Sequence, residues 1–398
     1  MNAMPHVLVF DAAPHRAGEL DRRLRGQGFA STRMALADAT GTGVDPGDSD
    51  LAVVLLDPQK SPDSNGALTG LVSQLASKNV ATLVCGAGDS QVPNGGALVE
   101  WVDSDVGLDE VVAKVGTLAR YAPIVKGLER ELHHLHRLGE QLNRYFSEID
   151  QEMRLAGRLQ RDFLPRKLPG VGPYQFEVFY RPATWVSGDT YDVFRIDEHH
   201  IGMYVADAMG HGVAAGLLTM FLRQALEAKR VNGHSYSIVQ PADALRHLHA
   251  CLARQKLPNS QFVTAVYAVI DTRRGEFRVA RAGHPYPLHI RRGGQISEIR
   301  SSGSLLGLVD VPAEFEETSF TLEPGDKIVF YTDGIEDLVI VPGKENNEEP
   351  AFTPQIQQWA PLSANGMIGA LGDYLECQEG SLHPADDVTM VLLEMGER

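Results

Sequence analysis

VSGDTYDVFRIDEHHIGMYVADAMGHG, residues 186–212, holds two apolar runs, each with an aspartate where the run meets a glycine or a small residue. Asp189 and Asp207 stand eighteen residues apart. That span fits a strand, a turn at Asp197 to His200 and a returning strand, so the pair is expected side by side in a hairpin. Asp207 is followed by Ala208-Met209-Gly210-His211-Gly212, a glycine-rich turn opening into a helix. A carboxylate at the end of a buried strand is held rigidly yet faces a cleft. Several of them converging suit hard divalent cations, with the Ala208 carbonyl as a further neutral oxygen.

Two more acids have the same setting further along. Asp333 follows KIVFY and precedes Gly334, and Asp386 stands just ahead of VTMVLL. Carboxylate and carbonyl oxygens without His or Cys select magnesium or manganese over zinc. Asp192 and Asp387, each near one of these acids, are candidates for supporting positions. Strand-like runs at 175–180, 200–206, 262–270, 276–282, 288–291, 327–331 and 388–394, helices at 212–229 and 241–254, and hairpin signals at Arg274-Gly275 and Gly293-Gly294 predict an α/β-sandwich.

At 398 residues the chain exceeds one usual hydrophobic core, which predicts two domains and a connector. No window approaches the roughly 18 uninterrupted apolar residues of a membrane span, and MNAMPHVLVFDAAPHR has no leader pattern, so a cytoplasmic location is expected. Cys85, Cys251 and Cys377 form no CxxC pair, which speaks against a zinc site or a disulfide framework. A formal net charge of −16 argues against nucleic acid as a partner, because phosphate backbones require clustered Lys and Arg.

In the first third, runs at 6–11, 51–56, 80–85 and 98–102 alternate with helical stretches, the pattern of a doubly wound parallel sheet. Residues 1–122 resemble a response-regulator receiver domain, with Asp57 at the phosphoacceptor position. The receiver's second acid, hydroxyl and Lys are missing: the corresponding stretches read Asp11-Ala12, Cys85-Gly86-Ala87 and Val102-Asp103. The expectation is a degenerate module for dimerisation or docking, with Asp57 a solvated strand-end carboxylate.

Residues 123–163 read as a helical connector. Leu128, Leu132, Leu135, Gly139, Leu142, Phe146, Ile149, Met153, Ala156, Gln160 and Phe163 recur at alternating steps of four and three, with charged residues between them. That heptad seam predicts a parallel coiled-coil homodimer, weakened locally at Gly139 and Gln160.

GDxxD at 188–192, DxxGHG at 207–212, AGH at 282–284, YTDG at 331–334 and DDVT at 386–389, in this order, resemble the metal-dependent type 2C (PPM) protein phosphatases. More closely they are similar to the bacterial SpoIIE/RsbU-like branch, including the lead-in LQRDFLP at 159–165. For residues 164–398 the resemblance implies two antiparallel sheets flanked by helices and two Mn2+ or Mg2+ ions. Asp207 would bridge the ions, the Ala208 carbonyl would join one, and Asp189, Asp333 and Asp386 would complete the shells. It also implies hydrolysis of phosphoserine or phosphothreonine on a phosphoprotein, an anti-sigma-factor antagonist of STAS-like type, gated by the N-terminal module and connector. The alternative is an inactive pseudophosphatase that holds its partner. Met209 stands where the wider family often has a histidine, and His211 and His284 are read as helix-entry and turn residues.

Overall fold

The computed structural model describes residues 4–12, 14–42, 49–56, 65–86, 98–210, 212–256, 261–308, 312–341, 351–377 and 386–397. Asp57 and His211 lie outside the described residues. The chain divides into two compact units, Met1–Arg144 and Tyr145–Arg398.

The first unit is built on a five-stranded parallel sheet. Its elements are β1 (His6–Asp11), α1 (Pro14–Gly26), β2 (Ala30–Ala35), α2 (Leu36–Thr42), β3 (Leu51–Leu55), α3 (Asn65–Ser77), β4 (Ala81–Cys85) and β5 (Val99–Val102). The strands lie in the order β2-β1-β3-β4-β5, a doubly wound arrangement. β3 and β4 are buried throughout, as expected for central strands covered on both faces. β2 and α2 escape the sequence reading because β2, ASTRMA, is an edge strand with no buried residue and therefore no apolar signature.

Helix α4 runs from Leu108 to Phe163 without a break, passing through Pro123. The sequence reads as a short helix ending near Ala119 and a separate connector, and the structure joins them. Val111, Val115, Leu118 and Ala122 are buried against the first unit's core. Beyond them Leu128, Leu132, Leu135, Leu142, Phe146 and Ile149 are each more than half exposed. The seam changes character at its end: Gly157 and Gln160 are buried within the second unit.

The second unit is a sandwich of two antiparallel sheets. β6 (Tyr174–Arg181), β7 (Asp189–Arg195) and β8 (His200–Ala208) lead to α5 (Val213–Ala225), the hairpin β9 (Lys229–Asn232) and β10 (Ser235–Ile238), and α6 (Pro241–Gln255). β11 (Val263–Asp271), β12 (Glu276–Ala282), β13 (Leu288–Ile290), β14 (Ile296–Glu298), β15 (Glu317–Thr321) and β16 (Lys327–Tyr331) follow. α7 (Glu336–Val339), α8 (Pro354–Trp359), α9 (Ala364–Glu376) and β17 (Val388–Met395) complete it. One sheet has the order β15-β12-β11-β8-β7 and the other β14-β13-β16-β17-β6.

Alternation along the strands builds three apolar layers. Val193, Met203, Val205, Val266, Phe330 and Val391 fill the space between the sheets. Tyr204, Ala206, Ala265 and Tyr267 face α5 and α6, while Val329, Tyr331, Met390 and Leu392 face α7 to α9. Helix α5 stops at Ala225, short of the expected Lys229, and the chain turns into the β9–β10 hairpin. Every residue of β9 is exposed, so no burial pattern marks it. Asn232-Gly233, a strong hairpin dipeptide, was its only sequence signal.

Candidate functional site

The hairpin expected of residues 186–212 forms, and β7 pairs with β8 in a register that sets Asp189 directly opposite Asp207. Directly paired residues project from the same face of the sheet. Both acids share the inner face with Tyr191, Val193, Val205 and Met203, at one end of the sandwich. Gly210 and Gly212 both have φ of 88°, a conformation open to glycine at little cost, and they turn the chain from β8 into α5.

Asp189 is 1 % exposed and has no cation beside it among the described residues. A bare carboxylate at that depth costs several kcal/mol, roughly, unless hydrogen bonds offset it. Two hydroxyls from the opposite sheet do so: Thr389 Oγ1 donates to Asp189 Oδ2 at 2.6 Å and Thr332 Oγ1 at 2.8 Å. Burial, followed by the charge of Asp207, still pushes the carboxyl well above the usual range, against these hydrogen bonds.

Asp207 is pushed up to about 7, first by burial and then by the charges of Asp333, Asp386 and Asp387. Asp333 begins a tight turn after β16, and Asp386 and Asp387 lead into β17. Partial burial and then Asp386 raise Asp333 as well. The four expected acids therefore share one electrostatic neighbourhood, running from buried Asp189 to exposed Asp333 and Asp386. None is ion-paired among the described residues.

Asp387 has both oxygens committed. Its Oδ1 accepts from Ala183 N at 2.7 Å and its Oδ2 from Gly188 N at 2.6 Å, so it ties the 183–188 loop to the start of β17. Charge-assisted bonds of this kind are about twice as strong as neutral ones. Asp387 thus restrains the loop that leads to Asp189. Asp192 corrects the expectation of a supporting position: it faces α5 and pairs with Arg223 at 3.2 Å, because it stands three residues from Asp189 and alternation sends it to the other face.

The sequence reading missed four contributors. Thr332 and Thr389 lie inside YTDG and DDVT, where a threonine beside an acid carries no signal of its own. Gly188 is a second case: a Cβ there would stand 2.6 Å from the Gly210 carbonyl oxygen, 2.8 Å from that of Ala208 and 3.3 Å from Asp207 Oδ1. Gln160, read as a seam defect, is a clamp. Its Nε2 donates to Ser187 O at 2.7 Å and to Thr219 Oγ1 at 3.0 Å, and its Oε1 accepts from Ser187 N at 2.9 Å. Ser187 Oγ in turn accepts from Asp189 N at 3.0 Å.

Among the described residues, no group of three or more His, Cys, Asp or Glu side chains has closed to distances that would enclose an ion. The donor chemistry fits a hard divalent cation nonetheless. The oxygens of Ala208, Gly210 and Asp207 crowd the place where Gly188 lacks a side chain, and the nearby acids lack an internal counter-charge. His284 is buried outside this acid group, and Arg181 ends β6 with no ion pair among the described residues. A groove of about 780 Å³ lined by Arg154, Arg158, Arg161 and Trp185 lies along α4 and contains none of the four acids.

Comparison with known proteins bears on this geometry. Residues 197–396 match the family profile described as Stage II sporulation protein E (SpoIIE). The chain is 27 % identical over 250 residues to phosphoserine phosphatase RsbU of Bacillus subtilis (strain 168), covering 62 % of this chain and 70 % of that protein. It is 28 % identical over 188 residues to phosphoserine phosphatase RsbP of the same organism, covering 47 % of this chain but only 45 % of RsbP. The SiaA PP2C domain of Pseudomonas aeruginosa superposes with a TM-score of 0.51 at 22 % identity, over 63 % of this chain and 97 % of that one, a likeness of fold.

Proposed function

Because the chain belongs to the SpoIIE family, we propose that it is a metal-dependent protein phosphatase acting on phosphoserine or phosphothreonine. The observation that carries this reading is the juxtaposition of Asp189 and Asp207 with Asp333 and Asp386, unpaired with any cation among the described residues, at one end of the sandwich. In this reading Asp189, Asp207, Asp333, Asp386 and the Ala208 carbonyl hold two Mn2+ or Mg2+ ions. When bound, such ions supply Lewis acidity and a hydroxide near neutral pH.

The chain's own residues arrange the rest. Thr332 and Thr389 orient Asp189 and offset part of the cost of burying its charge. Asp387 fixes the loop that leads to it, and Gly188 keeps the space beside Asp207 open. Exposed Asp333 and Asp386 leave room for a phosphate carried on a folded protein. No side chain needs to act as nucleophile where bound ions would supply the hydroxide.

The substrate we assign is a phosphorylated anti-sigma-factor antagonist of STAS-like type in a partner-switching system. The names of the phosphoserine phosphatase relatives support the reaction class. Residues 1–122 act as the regulatory module, 123–163 as the linker and 164–398 as the phosphatase domain. The exposed Leu128 to Ile149 stripe supports a homodimer through the linker. Gln160 couples α4 to Ser187 and Thr219, so movement of the helix reaches the Asp189 loop. No helix among the described residues is long and apolar enough to cross a membrane, and the site of action we assign is cytoplasmic.

Manganese-dependent hydrolysis of p-nitrophenyl phosphate, lost on Asp207→Asn, is the expected result. An intact, metal-binding protein that releases no phosphate from any phosphoprotein would favour the pseudophosphatase instead. Deletion of residues 1–122 is expected to change both rate and oligomeric state, and no change in either would end the gating idea.

A further inference from the structure

The groove along α4 contains none of the four acids, and the reaction as derived above makes no use of it. Its basic side chains, Arg154, Arg158 and Arg161, follow one another at steps of four and three and so share one face of the helix. Trp185, from the loop that leads to Asp189, completes the lining. With Glu148 and Glu152 also present, the groove holds three arginines against two glutamates, on a chain whose formal net charge is −16. The glutamates come first along the helix, so positive charge gathers at the end that flanks Gln160.

The lining is held in place before any partner arrives. Trp185 is 44 % exposed, yet its Nε1 donates to Asp150 Oδ1 at 2.9 Å and the Arg154 guanidinium lies 4.4 Å from its ring centroid. Its carbonyl oxygen sits where a Cβ on Gly157 would come within 1.9 Å, so the loop lies directly on the helix backbone. Arg154 is fixed in turn, donating from Nε to Asp150 Oδ2 at 2.7 Å. Ordering an indole and a guanidinium in advance lowers the entropy cost of association, and Trp and Arg are the side chains that most often anchor interfaces. Arg158 and Arg161 are exposed and have no carboxylate partner among the described residues.

We propose that this groove docks an acidic segment of the phosphoprotein substrate, with carboxylates on Arg158 and Arg161 and the segment's chain against Trp185. Charge selects the occupant: two guanidiniums without partners favour carboxylates, and on a chain of net −16 a basic strip is where an acidic protein is drawn. Gln160 stands between the two arginines in sequence and bonds Ser187, whose Oγ accepts from Asp189 N. A protein docked on the strip is thereby held beside the loop that leads to the first acid of the site. The inference rests on the reading of the chain as a phosphoprotein phosphatase.

The test gives the full chain, with Mn2+, two synthetic phosphoserine peptides that differ only in carrying glutamates or glutamines around the phosphoserine. About ten residues on either side reach about 30 Å when extended, enough to run along the helix. The readout is the ratio of kcat/KM for the glutamate peptide to that for the glutamine peptide. Wild type is expected to give a ratio of about ten, carried by KM and shrinking as salt rises. Arg158→Glu with Arg161→Glu is expected to bring the ratio to about one or below, and Arg158→Lys with Arg161→Lys to keep most of it. A charge-reversed chain that keeps the wild-type ratio overturns the inference, as does one that loses both peptides equally. So does a charge reversal that dissociates a dimer in sedimentation velocity, which would place a second copy in the groove. A wild-type chain that hydrolyses p-nitrophenyl phosphate but treats the two peptides alike, or cleaves neither, also overturns it. Failure on p-nitrophenyl phosphate and both peptides removes the reading beneath it, a distinguishable result.

Discussion

Both units place acids at the ends of sheet strands, but only one supplies them with an internal cation. In the first unit Asp11 ends β1 and pairs with Arg33 of β2 at 2.9 Å. In the second, Asp189, Asp207, Asp333 and Asp386 have no such partner among the described residues, and Asp207 is pushed up to about 7. Repulsion left unrelieved inside the fold is a standing demand for external positive charge. Satisfied acids are structure, and unsatisfied ones are capacity for a ligand.

The largest effect should come from removing an acid on each side of this comparison. Asp207→Asn is expected to lower manganese-dependent phosphatase turnover by about a thousandfold or more, roughly 4 kcal/mol of transition-state stabilisation. Asp11→Asn is expected to leave turnover of p-nitrophenyl phosphate within about twofold. Equal losses from both substitutions, measured as steady-state rates, would erase the distinction.

A smaller but still large effect is expected at Gly188. Its Ala variant presses a Cβ against the Gly210 and Ala208 carbonyl oxygens. A cost of about 1–3 kcal/mol in folding stability follows from overpacking, together with weaker Mn2+ binding. A denaturant melt and a metal titration report the two separately.

The acid group also predicts a pH dependence in chelator-treated protein. The folded Asp207 carboxyl titrates near 7 rather than near its ordinary 3.8, so between these values the folded state holds a proton that the unfolded chain lacks. Its contribution is therefore present at low pH and lost as pH rises through about 7, on the order of 4 kcal/mol at most. The stability difference between wild type and Asp207→Asn, from melts at pH 4 to 8, isolates this group. Mn2+ should restore wild-type stability at pH 8. A flat difference across the range would show that burial and the neighbouring acids do not act on Asp207 as its placement requires.

The smallest effect belongs to the satisfied pair. Arg33→Ala removes a partner that is 38 % exposed from an Asp11 carboxylate that is 10 % exposed. A loss of about 1 kcal/mol or less is expected for such a pair. A much larger loss in the melt would mean that Arg33 neutralises more of the first unit than Asp11.

Much of this was legible in the chain. Alternation in VSGDTYDV and HIGMYVADA exposes a strand with one apolar face, and a spacing of eighteen between two acids leaves little but a hairpin, so the Asp189–Asp207 pairing follows from local rules. Asp387 and Asp192 were equally visible as acids, yet their roles diverged. The first meets two backbone N–H groups about two hundred residues away, and the second meets Arg223 on a helix. Exposed β2 and β9 left no apolar signal. Gln160 fits the heptad count and reads as a seam residue, because periodicity records which face a residue occupies and not what covers that face.

By itself the sequence determined the kind of chemistry: carboxylates at strand ends, glycine turns beside them, and no His or Cys set to compete for an ion. Those features are local, fixed by residue type and by the two-residue period of a strand. Only the tertiary structure decided which acids keep their charge unanswered. It brought Thr332 and Thr389 to Asp189 and Asp387 to the Gly188 loop, and among the described residues it paired none of the four acids with a lysine or arginine. Charge interactions depend on distance through space and on burial, and neither is written along the chain.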